Sequence, residues 1–228
     1  QAFIKPVSAL ADRTKIMYFP NMMVDDKHVE YISKISSIPP SLLTILEENS
    51  CLVFAGNIGK AQSIGTIISA AEKLQSRAEI KIIFVGKGSM LEWAQQEVLR
   101  RNIENVIFAG AFPIDVMPVL FSKAEALLVS LKSDEIFSYT IPSKVQAYMS
   151  AGRPIIASIN GEAARIINEV GAGLTCSAED VSGLVECVEQ FITRSQRERA
   201  SFGLAGREYF LKNFEMESQC KKLVEILE

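Results

Sequence analysis

Residues 138–159, SYTIPSKVQAYMSAGRPIIASI, contain a turn, a helix, a second turn and a strand. Ile141-Pro142 predicts the start of the helix, because proline fits a first helical turn, where its missing N–H is not needed. Apolar residues then recur at the i, i+3 and i+4 spacing of a buried helix face, at Val145, Tyr148 and Met149. A glycine and a proline end the helix and lead into an apolar strand.

The start of this helix is a candidate anion site. The first N–H groups of a helix have no partner within the helix, and the positive end of the helix dipole lies there. Ser143 and Lys144 occupy that first turn. A helix N-terminus with a serine and a lysine, placed after a strand-following loop, predicts a cradle for a diphosphate. The alternative is an ordinary capping serine beside an exposed lysine.

The same stretch carries a family resemblance. Residues 141–157, IPSKVQAYMSAGRPIIA, and residues 161–174, GEAARIINEVGAGL, resemble the donor-binding half of GT-B glycosyltransferases of the retaining family 4 type. The most similar subgroup consists of bacterial cell-surface polysaccharide enzymes that transfer N-acetylated amino sugars. The resemblance runs from about residue 16 to the C-terminus and is loose about the substrate.

The resemblance implies that the whole protein is a transferase. Its donor would be a nucleotide diphosphate sugar, expected to be UDP-linked, and its acceptor a saccharide or a lipid-linked sugar. No metal and no other cofactor is expected, because in this family the helix dipole and basic side chains take the place of a cation.

Composition narrows the class of protein further. The chain has 228 residues, of which 48% are hydrophobic and 22% charged, as in ordinary globular proteins. A net charge of −3 argues against a nucleic-acid partner, which would favour a basic surface. Four cysteines are scattered without a CxxC pair, which predicts reduced thiols and a cytoplasmic location. The sequence leaves open whether the protein also binds peripherally to the inner face of a membrane.

From residue 50 onward, apolar strands alternate with helical segments. Strands are predicted at 51–55, 80–85, 106–109, 126–130 and 155–157, and near 174. This alternation is typical of parallel βαβ units, whose right-handed crossovers place helices on both faces of the sheet. The predicted fold class is therefore α/β, a doubly wound Rossmann-like sheet of about six strands. Ligands of such sheets bind at the carboxyl ends of the strands, so the loops after the first four strands should line one cleft.

The resemblance divides the chain into four parts. Residues 1–21 are predicted to be the stub of an N-terminal domain with its hinge, including a short strand at 16–19, and residues 22–49 a connector. The connector holds the only histidine, His28, with no acid or nucleophile spaced to act with it. Residues 50–214 form the nucleotide-sugar-binding domain.

The fourth part, residues 215–228, is a helix expected to pack on the N-terminal domain of the same chain. Without that domain it would expose an apolar strip at Cys220, Leu223, Val224 and Leu227, with some tendency to self-associate. Acceptor-binding and acid–base groups of the family lie mainly in the other domain. Residues 1–228 alone are therefore expected to be inactive.

Glycines follow the first two predicted strands. The first loop holds Gly56, Gly59 and Lys60, where the backbone can approach a phosphate closely, and the resemblance places this loop beside the donor diphosphate. A plain turn is the alternative. The second loop, Gly86-Lys87-Gly88, has Leu91 where a dinucleotide motif needs its third glycine, which argues against NAD. The resemblance places Gly86 at the nucleotide pocket.

Four further residues are site candidates. Phe112 and Pro113 follow the third strand, where the resemblance places the nucleobase, and the alternative is that Phe112 closes the top of the core. Glu135 is a candidate for contact with the donor sugar, or else a solvated loop acid. Glu162 opens a helix near the cleft, or else only complements the dipole of that helix.

One departure from the family pattern concerns the ribose. Most relatives carry two glutamates eight residues apart, and the second holds the donor ribose. Those positions are Tyr139 and Ala147 here, and the neighbouring Gln146 should point elsewhere on the helix. The loss favours an alternative function, a non-catalytic nucleotide-binding module or subunit. A sugar-nucleotide epimerase of the same fold is a weaker third hypothesis.

Overall fold

Apolar strands alternating with amphipathic helices form a single parallel sheet. The computed structural model describes residues 4–17, 19–25 and 34–227. Within them the strands are β1 (Ser50–Ala55), β2 (Ile80–Val85), β3 (Val106–Gly110), β4 (Ala126–Ser130), β5 (Ile155–Ser158) and β6 (Gly173–Cys176). Their spatial order is β3-β2-β1-β4-β5-β6, and each neighbouring pair is parallel. The predicted doubly wound Rossmann-like fold is confirmed.

Helices cover both faces of this sheet. In chain order they are α1 (Ile4–Ser8), α2 (Pro40–Glu48), α3 (Ile64–Lys73), α4 (Leu91–Arg100), α5 (Met117–Lys123), α6 (Glu135–Tyr139), α7 (Ser143–Ser150), α8 (Glu162–Val170), α9 (Val181–Ile192), α10 (Gln196–Asn213) and α11 (Met216–Leu227). Side chains of α2, α5, α7, α8 and α10 form the core on one face. Those of α3, α4 and α9 form the core on the other.

The strands are apolar on both sides, and β1 shows why. Successive side chains of a strand point to opposite faces. Val53 and Ala55 join the core beneath α7, whereas Leu52 and Phe54 join the core beneath α3. All four are buried, so β1 is a central strand covered on both faces.

Some local structure differs from the prediction. Helix α2 begins at Pro40, inside the predicted connector, and buries Leu42 and Leu46. The predicted strand at 16–19 is not formed among its described residues, since no neighbouring strand is there to pair with it. The N–H of Ile16 instead donates to the carbonyl of Arg13 at 3.2 Å. His28 lies outside the described residues.

Residues 22–25 of the connector lie beside the end of the chain. The N–H of Met23 donates to the carbonyl of Phe214 at 2.8 Å, and the carbonyl of Met23 accepts from Met216 at 3.0 Å. The carboxylate of Asp25 binds the guanidinium of Arg207 through two contacts of 2.6 Å. The connector is thereby fixed to α10 and to the start of α11.

Helix α11 presents apolar residues to solvent. Cys220, Val224 and Leu227 are exposed, as the sequence predicts, while Leu223 is half-buried. The packing of this face on another domain stays a prediction. No helix within the described ranges has the length and apolar character needed to span a membrane.

Helix α10 approaches α7 closely because it lacks a side chain at the contact. A Cβ atom on Gly203 would lie 2.1 Å from the carbonyl oxygen of Gly152, at the end of α7. Since the obstacle is backbone, it cannot rotate away as a side chain would. The two helices can keep this separation only with glycine at position 203.

We expect Gly203→Ala to lower the free energy of unfolding by about 1–3 kcal/mol, because α10 must move away from α7. Urea denaturation followed by circular dichroism measures the change. Gly65→Ala is the matched control, since its Cβ would meet only the Trp93 ring at 3.5 Å, an ordinary contact. Equal stabilities of the two variants would contradict this account of the packing.

Candidate functional site

The sheet opens at the point where its strand order reverses. β1 pairs with β2 as far as Ala55 opposite Val85. On its other side β1 pairs with β4 only at Leu52 and Val53. Beyond Val53 the two strands separate, which is where ligands of doubly wound sheets bind.

The hydroxyl of Tyr148 closes the inner end of this gap. It accepts from the N–H of Ala55 at 3.0 Å and donates to the carbonyl of Ala55 at 3.3 Å. The side chain is 1% exposed, and burial raises the pKa of Tyr148, so the hydroxyl keeps its proton. Tyr148 thereby replaces the hydrogen bonds that β4 no longer supplies to β1.

Above the gap lies a cleft of about 1020 Å³. Its walls come from the carboxyl ends of β1, β2 and β4, from the loops after the first four strands, from α5, α7 and α10, and from the connector. The polar residues that line it are Asp25, Asn57, Gln62, Ser130, Ser143, Lys144, Tyr148, Ser150 and Arg207. The expectation that the strand-following loops share one cleft agrees with this arrangement.

The N-terminus of α7 points into the cleft. Pro142 precedes the helix, and the first-turn residues Ser143 and Lys144 both line the cavity. Ser143 is exposed, so an incoming ligand can reach its hydroxyl. The N–H groups of this turn need partners from outside the helix, and the dipole favours a negative one.

The ammonium of Lys144 lies at the floor of the cleft. Its Nζ is 3.4 Å from the centroid of the Phe54 ring, although Phe54 belongs to the core on the opposite face of the sheet. Lys144 therefore reaches through the gap between β1 and β4. Gly56 is adjacent, since a Cβ atom there would lie 3.5 Å from Cε of Lys144. The sequence signals for the helix start and for the glycine loop thus meet at one point.

Two buried polar atoms at this floor have no hydrogen-bond partner among the described residues. They are Nζ of Lys144 and Oγ of Ser130, at the end of β4. Burial removes water from the ammonium of Lys144 and lowers its pKa to about 7. The face of the Phe54 ring replaces that water only in part. Unpaired buried polar groups are uncommon in folded proteins, so a polar ligand is the expected partner.

Gly86 supports the cleft by close packing. A Cβ atom at this position, where φ is +137°, would lie 2.0 Å from the carbonyl oxygen of Gly56. The N–H of Gly86 donates to the carbonyl of Gly110 at 2.7 Å. Gly86 lines the cleft as well. Its position is consistent with a nucleotide pocket, and it also holds two neighbouring loops in contact.

The end of the cleft near β3 is apolar. Phe112 is half-buried there, beside Ile114, Met117, Pro118 and Phe121. Pro113 is exposed and lies outside the cleft lining. A flat, weakly polar group suits this apolar end, and an anionic group suits the end with Lys144.

Two predicted diphosphate contacts lie on the far side of the first loop. Gly59 and Lys60 line a separate cavity of about 220 Å³, together with Trp93 and Lys132. Within the turn Lys60–Gln62, Lys60 borders this smaller cavity, whereas Gln62 lines the large cleft. The structure therefore places Gly56, but not Lys60, beside Lys144.

Both predicted acidic residues lie outside the lining of the large cleft. Glu135 is exposed and accepts from the hydroxyl of Tyr139 at 2.8 Å. Glu162 is buried and pairs with Arg165 at 2.7 Å, and that guanidinium lowers the pKa of Glu162. In this arrangement Glu162 forms an ion pair with Arg165 at the start of α8.

The cleft wall is apolar at position 147, where most relatives are expected to carry the glutamate that holds the ribose. Ala147 lines the cleft, and Gln146 points the other way and donates to the carbonyl of Asn21 at 3.0 Å. Among the described residues of the lining, the only carboxylate is that of Asp25, which Arg207 neutralises. Among the described residues of that lining, Lys144 is therefore the one cationic group without a carboxylate beside it.

Sequence reasoning missed several residues of the site. Tyr148 was assigned to the core by its helical spacing, and nothing in that spacing shows a hydroxyl bridging a gap in the sheet. Phe54 looked like any buried strand residue, and its contact with Lys144 exists only because β1 and β4 separate. Arg207 and Asp25 meet across 182 positions of sequence, beyond any local signal.

Comparison with known proteins gives a family match. The family model for glycosyl transferases group 1 matches residues 49–194, more than half of the chain. "Probable glycosyltransferase WbjE" of Pseudomonas aeruginosa is 27% identical over 139 residues, which are 60% of this chain and 34% of that protein. The GDP-mannose-dependent alpha-(1-6)-phosphatidylinositol monomannoside mannosyltransferase of Mycolicibacterium smegmatis is 23% identical over 166 residues, 71% of this chain and 43% of that one.

Among solved structures, Anabaena HepE in complex with UDP shares the fold. The TM-score is 0.79 at 16% identity, and the match covers 97% of this chain and 59% of that chain. The chain thus spans less than half the length of each of the two curated relatives above and about three fifths of this structure.

The buried ammonium should make stability depend on pH. The pKa of Lys144 falls from 10.5 to about 7 on folding, so between these values the unfolded chain binds more protons than the folded one. Stability from this group is therefore lowest below pH 7 and rises toward pH 10. Relative to Lys144→Met, the wild-type chain should gain roughly 2–4 kcal/mol across that window.

Urea denaturation of both chains at pH 7 and pH 10 measures this difference, in which the other titrating groups cancel. Lys73→Met is the control for removal of a lysine side chain from the surface, because Lys73 is exposed on α3. Parallel pH profiles for wild type and Lys144→Met would show that the ammonium is not desolvated.

Proposed function

Because the chain belongs to the glycosyl transferases of group 1, we propose that it is the donor-binding half of a retaining enzyme that moves a sugar from a nucleoside diphosphate. The observation that supports this proposal is the buried ammonium of Lys144, which has no anionic partner among the described residues at the switch point of the sheet. A donor diphosphate supplies that partner. The other proposed contacts are the first-turn N–H groups of α7, the Ser143 hydroxyl and the backbone at Gly56.

The chemistry that this end of the cleft can support is stabilisation of a leaving group. In glycosyl transfer the bond between the anomeric carbon and the diphosphate oxygen breaks, and negative charge grows on the diphosphate. Preorganised positive groups in a site with little water stabilise such charge most effectively. Lys144 and the N-terminus of α7 border the same end of the cleft, so both positive groups can act on one diphosphate.

The nucleoside would extend from Lys144 past Ala147 toward Phe112. The apolar residues Ile114 and Met117 suit the faces of a base. With alanine at position 147, the ribose hydroxyls receive no carboxylate from α7. Nucleotide affinity should therefore come mainly from the diphosphate and the base.

We propose uridine as the base, in agreement with the resemblance described above. Anabaena HepE, whose fold matches nearly the whole chain, was solved with UDP. The M. smegmatis relative is named for GDP-mannose, so guanosine is the competing assignment. The acceptor is proposed to be a saccharide or a lipid-linked sugar in polysaccharide biosynthesis, bound with help from an N-terminal domain of the same chain.

A second candidate function is a nucleotide-binding module without catalysis. The apolar Ala147 position favours it, because an enzyme of this family normally fixes the ribose with a carboxylate. Both functions require nucleotide binding, and they differ in transfer. A longer form of the protein that carries an N-terminal Rossmann domain should release UDP from a UDP-sugar in the presence of acceptor only if the enzyme hypothesis holds.

Calorimetric titration of residues 1–228 with UDP, GDP and ADP tests the donor site directly. We expect UDP to bind at least about tenfold more tightly than the other two. Lys144→Ala should weaken UDP binding by about 10- to 100-fold, because a charged contact contributes roughly 1.5–3 kcal/mol.

Lys73→Ala is the matched control for removal of a lysine charge, and it should bind UDP like wild type. Lys60→Ala should lose less affinity than Lys144→Ala, because Lys60 lines the smaller cavity. Absence of nucleotide binding, or UDP binding unchanged in Lys144→Ala, would contradict the proposed cradle. Tighter binding of GDP would revise the base and leave the cradle in place.

A further inference from the structure

We propose that Tyr148 is a positioning residue whose hydroxyl sets the separation between the two halves of the diphosphate cradle. One half is the end of β1 with Gly56, and the other is the first turn of α7 with Lys144. The inference rests on the proposed function, because it assigns a role within that nucleotide site. Tyr148 touches neither the donor nor the reacting atoms in this role.

The two halves of the cradle belong to elements that the sheet does not join. β1 and β4 share a ladder only at Leu52 and Val53, so the last two residues of β1 have no strand on that side. On the other side Ala55 pairs with Val85 of β2. The end of β1 is thus held from one side by a strand and from the other by the Tyr148 hydroxyl alone, within the described residues.

Tyr148 is itself fixed at two points. Its ring lies edge-on to the Phe121 ring, with centroids 5.3 Å apart and planes at 80°, inside the core beneath α7. Its hydroxyl holds both backbone groups of Ala55. Because Lys144 lies one helical turn before Tyr148, the position of the tyrosine also fixes where the lysine enters the gap.

Packing alone does not explain the hydroxyl. A phenylalanine would fill the same space and make the same edge-to-face contact with Phe121. It would leave the N–H and the carbonyl of Ala55 unpaired in a buried site, so the end of β1 would have to move or admit water. Gly56 follows Ala55 directly, so that movement passes into the cradle.

The test is UDP and UMP binding by Tyr148→Phe, with Tyr209→Phe as the matched control. Tyr209 also lies on a helix and also packs edge-on to a ring, that of Phe214, but it is not part of the cleft lining. We expect Tyr148→Phe to weaken UDP binding about tenfold and UMP binding less than about threefold, because UMP lacks the second phosphate. Tyr209→Phe should change neither.

Amide hydrogen exchange without ligand supplies a readout that is independent of the proposed function. In Tyr148→Phe the amides of Ala55 and Gly56 should exchange at least about tenfold faster, and in Tyr209→Phe they should not. If wild type binds no UDP, the proposed function fails, and the exchange rates alone then decide the role of Tyr148.

Three outcomes overturn the inference. They are unchanged exchange at Ala55 and Gly56, equal losses for UDP and UMP, and a Tyr148→Phe chain that is unfolded at the assay temperature. The last outcome would assign the hydroxyl to general stability. Thermal denaturation of both variants, recorded before the titrations, identifies it.

Discussion

The loss of hydrogen bonding between β1 and β4 is the constraint on which the site depends. A doubly wound sheet reverses its direction of winding once, and at that place neighbouring crossover helices lie on opposite faces. Nothing then covers the carboxyl ends of the two central strands, and their backbone groups need other partners. Here a tyrosine hydroxyl supplies those partners on one strand, and a lysine side chain enters the space that remains. The cleft is thus a consequence of topology before it is a consequence of any single residue.

The same gap explains the unusual state of the lysine. An ammonium in open solvent keeps its charge at neutral pH, but one enclosed by a ring face and aliphatic groups loses hydration that the ring only partly replaces. The folded protein therefore has, at a defined point of the cleft, an ammonium with a demand for an anionic partner. A dianionic group meets that demand, whereas a neutral sugar or a free base does not. Burial of the ammonium therefore gives this end of the cleft a physical reason to favour an anionic group.

Much of the fold could be predicted from the sequence, because long apolar strands and amphipathic helices carry local signals. Helix α7 and strand β5 were specified by one short stretch with its proline, glycine and apolar spacing. Position Ala147 could be located by counting from Gly152, and the direction of Gln146 followed from helix geometry. Helix α2 was missed because residues 22–49 were assigned as a whole to the connector, although Pro39-Pro40 is the same kind of helix-start signal as Pro142.

The candidate site was less predictable, for a different physical reason. Lys60 and Lys144 both lie in segments that follow strands, so either could be expected at the cleft. In the structure Lys60 begins the turn Lys60–Gln62, which leads to the left-handed Ser63, and it borders another cavity. The bridge from Tyr148 to Ala55 joins residues 93 positions apart. It depends on where two strands separate, which no local pattern encodes.

The contact of Arg207 with both the connector and α7 has a mechanical consequence. Its guanidinium holds the carboxylate of Asp25 and also donates to the carbonyl of Ser150, at the last turn of the helix that begins with Lys144. A rigid helix pulled at its tail turns at its head. A displacement of the chain around Asp25 would therefore be passed through Arg207 to α7 and would change the orientation of its first turn. The position of the connector and the geometry of the Lys144 end of the cleft are thus linked.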